Sequence, residues 1–228
     1  MASTARKTNW FAIWISVAVV VVLVVVAGLV VWLNAAASGP GALPEASNVN
    51  TDTGAIAFGE GTDTMDTYID FMCPVCNQFE QTYGSEIESL VDAGTITLNV
   101  HPISILDRAS QGTQFSTRAA SAMYCVAIAD PGNALAFMQA MYTNQPEENS
   151  QGLSDAQIIS IAESVGVTNA ADCIDAGRYM KYVTAMTPKT PTPPGSTGIG
   201  TPTIAINGTV IVNQTLPADP ADLITLFQ

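Results

Sequence analysis

The segment Tyr68-Ile69-Asp70-Phe71-Met72-Cys73-Pro74-Val75-Cys76 constrains this chain more than any other, because it carries two cysteines across a change of hydrophobic period. Met65 to Phe71 reads as a strand, whereas Val75, Phe79, Tyr83, Ile87 and Leu90 recur at helical spacing. Pro74 suits a first helical turn, where its missing N–H costs nothing, which puts Cys73 at or beside the N-cap. Unpaired amide groups and the positive end of the helix dipole stabilise a thiolate there, so Cys73 is the expected nucleophile. Cys76, one turn on and on the same side, is set to attack a mixed disulfide formed at Cys73. Taken alone, a CxxC is as readily half of a zinc site or a structural disulfide. A zinc ribbon needs a second ligand pair, however, and the other cysteines, Cys125 and Cys173, stand far apart with His101 as the sole histidine, so no metal is expected.

The next constraint is a run without charge. Trp10 to Leu33 contains no ionisable residue and is long enough to cross a bilayer as a helix. Trp10, Trp14 and Trp32 lie near its ends, and Arg6 and Lys7 precede it, so the positive-inside rule puts residues 1–9 in the cytoplasm and exports the rest. Ala35-Ala36-Ala37 offers a signal-peptidase-like site, but the run exceeds a usual signal-peptide core, which favours an uncleaved signal-anchor at 10–33. Residues 34–54, small, polar and without hydrophobic period, read as a flexible linker. The exported part keeps five of the seven basic and all 20 acidic residues, a net charge near −15 that makes nucleic acid and anionic lipid poor partners.

Downstream, 55–58 is a weak strand, Asp92-Ala93-Gly94 closes the cysteine-bearing helix, and Thr95 to Val100 is the following strand. Between about 110 and 187 the pattern is helical, with segments expected over 114–129, 133–143, 154–165 and 170–186. Residues 187–200 hold four prolines and read as an irregular loop. Thr203 to Ile206, the Asn207-Gly208 turn and Thr209 to Val212 make a hairpin, and 218–227 a closing helix. His101 is assigned no role.

The sequence Asp70-Phe71-x-Cys73-Pro74-x-Cys76-x-x-Phe79, with Gly200-Thr201-Pro202-Thr203 opening a later strand, resembles the DsbA-type branch of the thioredoxin superfamily, in particular the membrane-anchored thiol-disulfide oxidoreductases of actinobacteria. The resemblance covers about 55–228 and implies an α/β thioredoxin fold with a helical insertion after the single transmembrane helix. It also implies a cis peptide before Pro202, which leaves the backbone of Thr201 free to pair with a substrate strand beside Cys73. No cofactor is implied. The implied activity is oxidation of exported proteins with reduced cysteines, followed by reoxidation by a quinone-linked membrane partner of the DsbB or VKOR kind. A reductase or isomerase using the same pair, and a non-catalytic thioredoxin-like binding module, are the competing readings. Cys125 and Cys173 both fall in the insertion, and in an oxidising compartment two such cysteines pair, as they do in similar proteins; a second redox pair or free thiols is the alternative.

Three departures bear on chemistry. The active-site dipeptide is Pro74-Val75, where strongly oxidising relatives carry histidine second. Thr67 stands where thioredoxin-like proteins often bury an acid. The proline-rich loop replaces a short helix. A Cys73 pKa between about 3.5 and 8.5 is therefore expected, with a potential between those of thioredoxin and DsbA, about −270 and −120 mV.

Overall fold

The structure, a computed structural model, describes residues 10–39 and 41–227. The expected cytoplasmic segment 1–9, with Arg6 and Lys7, lies outside the described residues. Two compact units divide at residue 39. The first is a helix, α1, from Trp10 to Ser38, in which Ile13–Trp32 is long and apolar enough to cross a membrane. It outruns the expected end at Leu33, since neither Asn34 nor the alanines after it break a helix and the first breakers are Gly39 and Pro40.

The second unit is built on a six-stranded sheet. Its strands are β1 (Val49–Asn50), β2 (Ala55–Phe58), β3 (Asp63–Ile69), β4 (Ile96–Pro102), β5 (Thr203–Ile206) and β6 (Thr209–Ile211), in the order β1-β2-β4-β3-β5-β6. Only β3 and β4 are parallel, joined through α2 (Pro74–Asp92); every other pair is antiparallel. The alternation of β3 buries Met65, Thr67 and Ile69 against the core and turns Asp66 and Tyr68 to the other face. There, with His101 and Asn99, they line a polar recess of about 670 Å³. Beyond Ala93, Gly94 adopts φ +67°, and the amides of Gly94 and Thr95 return to the carbonyls of Val91 and Leu90, a Schellman stop. Asn207 and Gly208, both at positive φ, make the tight turn between β5 and β6.

The insertion holds α3 (Phe115–Ala129), α4 (Ala134–Thr143), α5 (Asp155–Ser164), α6 (Ala171–Asp175) and α7 (Met180–Met186). Ser154 and Gln157 form a reciprocal capping box at the start of α5. From Phe115 to Ala127 only Arg118 of α3 escapes full burial, and the insertion shares one continuous apolar core with the sheet, so it is a packed lobe rather than a loose lid.

Two expectations need correction. The linker predicted over 34–54 is shorter, because Val49 is buried in β1 and the carbonyls of Thr51 and Gly54 accept hydrogen bonds from the hydroxyls of Tyr182 and Tyr124. A two-residue strand is too brief to show a hydrophobic period. The helix predicted over 170–186 is broken into α6 and α7 at Gly177, whose φ is +54°. The closing helix expected over 218–227 is present as a 3-10 helix over Pro220–Phe227.

Candidate active site

β3 ends at Ile69, and the next four residues turn the chain into α2. The turn is held from inside by Asp70, whose carboxylate is fully buried. One oxygen accepts from the amide of Met72 (2.9 Å), the other from the amides of Ile105 and Leu106 (2.9 Å each). Burial raises the Asp70 pKa, and these donors oppose the rise. The carboxylate thus bolts the end of β3 to the loop after β4. Phe71 packs on Tyr142 of α4, with ring centroids 5.3 Å apart.

Cys73 is the N-cap of α2, in extended conformation (φ −78°, ψ 116°), with Pro74 as the first helical residue. Both Cys73 and Cys76 are free thiols, 6 % and 1 % exposed. Their environments separate them. The Cys73 pKa falls to about 6, chiefly because the Cys76 thiol hydrogen-bonds to its sulfur. Burial works against this, while Thr201 and the backbone amides of Cys76 and Val75 add to it. Cys76 moves the other way, pushed well up by burial and then by its neighbour's hydrogen bond and charge.

The peptide bond between Thr201 and Pro202 is cis, and the Cys73 thiol donates to the Thr201 carbonyl at 3.4 Å. The Thr201 hydroxyl is buried with no other partner among the described residues, free to turn its proton toward a charged sulfur. Val75 is 54 % exposed and borders a groove of about 270 Å³ lined also by Phe79, Tyr83, Pro202 and Leu216. Cys125 of α3 and Cys173 of α6 form a disulfide. His101 lies on the polar face of the sheet, stacked on Tyr68 and hydrogen-bonded to Asp66 at 2.8 Å. Among the described residues no group of three or more histidine, cysteine or acidic side chains is placed to hold a metal ion.

The structure brings Cys73, Cys76, Thr201 and Pro202 together, and adds residues that the motif did not announce. Gln145, just past α4, donates to the carbonyls of Phe71 (3.0 Å) and Cys73 (2.9 Å). Glu80 of α2 faces a cleft of about 300 Å³ shared with Gln139 and Tyr142 of α4. Burial raises its pKa to about 7, with a hydrogen bond from Gln139 lowering it and the charge of Glu88 raising it.

Comparison with known proteins agrees with this geometry. DsbA of Mycobacterium tuberculosis in its oxidised form superposes with a TM-score of 0.65 at 28 % identity, over 76 % of this chain and 90 % of that one. The reduced disulfide bond oxidoreductase DsbG of the same organism gives 0.60 at 26 % identity, over 84 % and 95 %. Among curated proteins, the serine/threonine-protein kinase PknE of Mycobacterium tuberculosis is 32 % identical over 167 residues, which span 71 % of this chain but only 29 % of the kinase. A family model described as Thioredoxin matches residues 55–224, within which the cysteine pair, the cis-proline and the whole insertion lie. This chain belongs to the thioredoxin family.

Proposed function

We propose that the protein is a membrane-anchored thiol-disulfide oxidoreductase that passes a Cys73–Cys76 disulfide to exported proteins with reduced cysteines. The observation that carries this reading is the asymmetry of the pair. A sulfur whose thiolate is stabilised to a pKa of about 6 lies beside a buried sulfur whose thiolate is disfavoured. A substrate thiolate attacks Cys73 Sγ of the disulfide, forming a mixed disulfide and expelling the Cys76 thiolate, which takes up a proton. A second substrate thiolate then attacks the substrate sulfur of that mixed disulfide, forming the product disulfide and expelling Cys73 as its stabilised thiolate. The reduced pair retains the two electrons removed from the substrate; Cys76 carries one of the two substrate protons, and the other stays in solvent while Cys73 remains a thiolate. Low pKa at Cys73 makes it the better leaving group and stabilises the reduced enzyme, so it favours donation of the disulfide.

Thr201, with its backbone beside Cys73, is the proposed pairing edge for an extended substrate, and Pro74 and Val75 the dipeptide that sets the poise. The Cys125–Cys173 bridge has a structural role. The proposed layout is a cytoplasmic segment 1–9, a single-pass anchor at 10–33, a linker that ends before β1, and the thioredoxin-like domain from there on outside the cell membrane. The structural relatives named DsbA and DsbG support the chemistry. The acidic exported surface argues for proteins, not nucleic acid, as partners, and a quinone-linked DsbB- or VKOR-like oxidase is the proposed source of oxidising equivalents.

Refolding of a reduced, disulfide-requiring protein tests the reading. The oxidised full-length chain should restore the substrate's activity, and Cys73→Ser should lower the rate by at least about a hundredfold, since no other residue supplies an exchangeable thiolate at the helix start. Equal rates for the variant and the parent would exclude the enzyme. Recovery of the pair from cells wholly as dithiol would replace the oxidase with a reductase or isomerase.

A further inference from the structure

Gln145 belongs to the inserted lobe, yet its side chain reaches the turn that carries the nucleophile. Both amide hydrogens are spent there, on the carbonyls of Phe71 (3.0 Å) and Cys73 (2.9 Å). The amide oxygen accepts from Asn77 (3.0 Å), and Asn77 accepts from Gln81 (3.0 Å). This network fixes the amide's orientation, because a flip would set its oxygen against two carbonyl oxygens.

We propose that Gln145 is a positioning residue that sets the thiolate stability of Cys73. The carbonyls it holds bracket the two residues Met72 and Cys73 along the chain. That of Cys73 is also the first acceptor of α2, taking the amide of Asn77 at 3.2 Å. Holding both fixes the extended N-cap conformation of Cys73 and so keeps its sulfur at the start of α2, where the amides of Val75 and Cys76 favour a thiolate. The Cys73 carbonyl oxygen also bears partial negative charge close to that same sulfur. Donation from Gln145 draws this charge away and lessens its repulsion of a thiolate. The inserted lobe thus contributes directly to the redox centre. The inference rests on the reading of Cys73 and Cys76 as a redox pair.

The experiment compares the full-length chain in detergent micelles with Gln145→Met, which keeps the shape and loses the donors, and with Asn77→Ala, which loosens the same amide from its other end. The measurements are the thiolate titration of Cys73, the equilibrium with glutathione, and the unfolding temperatures of the reduced and oxidised forms. Gln145→Met should move the titration midpoint up by about one pH unit, about tenfold less thiolate at a given lower pH. It should make the disulfide less oxidising and lower the unfolding temperature of the reduced form more than that of the oxidised form. Asn77→Ala should shift the same quantities in the same direction by less. An unchanged midpoint and glutathione equilibrium, with both forms destabilised equally, would overturn the proposal and leave Gln145 as a docking contact. Should Gln145→Met not accumulate as folded protein, an unchanged midpoint in Asn77→Ala overturns it as well. A parent chain that shows neither a depressed thiol midpoint nor exchange with glutathione would remove the redox reading itself, whatever the variants do.

Discussion

Val75 sits two residues after Cys73 with half its surface in solvent and a side chain that offers a sulfur neither charge nor hydrogen bond. The stabilisation of the Cys73 thiolate therefore comes from Cys76, Thr201 and the helix amides, with no charged side chain among its causes. Val75→His should lower the Cys73 midpoint from about 6 by on the order of one further pH unit and make the disulfide more oxidising. Thiolate absorbance and the glutathione equilibrium check this, and an unchanged pair of values would assign the poise to the rest of the groove. Glu80 gives a second prediction at this scale. Its pKa rises from 4.5 to about 7 on folding, so the folded chain holds that proton more tightly than the unfolded one. Stability from this group is full below pH 4.5 and is lost as the pH climbs through about 7. In the oxidised protein, where Cys73 does not titrate, Glu80→Gln should flatten the stability curve across that window. At pH 8 it should raise stability by on the order of 1–3 kcal/mol, read by chemical denaturation. Residue by residue, spacing made Cys73 and Cys76 legible at the start of a helix, while Pro202 became legible only through the family resemblance. Asp70, Gln145 and the Thr201 hydroxyl were silent. Asp70 meets its partners 35 and 36 residues away and Gln145 meets its own 72 and 74 residues back, distances at which only the folded chain defines a neighbour.

At the scale of elements, the strand-helix-strand unit of β3, α2 and β4 followed from period, from Pro74 and from Gly94, all local signals. Elements defined by tertiary contacts were less visible: β1 exists because it pairs with β2, and the break between α6 and α7 depends on a single glycine in a left-handed turn. The disulfide ties α6, only five residues long, to the buried α3. So short a helix cannot hold itself, and the cross-link closes a loop of 48 residues in the unfolded chain. Replacing both Cys125 and Cys173 by Ala should cost about 3–4 kcal/mol in urea unfolding. The Cys73 midpoint should stay where it is, because neither Cys125 nor Cys173 is among the causes of its shift. A moved midpoint would show that the bridge reaches the active site.

For the whole molecule, the uneven composition was the readable feature: an uncharged N-terminal run, a small polar stretch, then an acidic domain. Where that stretch hands over to the domain was not readable, since residues 48–54 show no hydrophobic period: Val49 is buried in a two-residue strand, Asn48 donates to the Ala127 carbonyl, and the Thr51 and Gly54 carbonyls accept from buried tyrosine hydroxyls. The sheet described above narrows from its centre outward. Its seven-residue strands β3 and β4 lie in the middle, and its two borders are strands of two and three residues. Unfolded polypeptides, the clients proposed for this protein, seek open strand borders on which to stack, and a surface that offered one would collect them and seed aggregates. For the proposed exchange, borders this short would leave a client little to hold beyond the few residues around Thr201, so that it departs once its sulfurs have been joined.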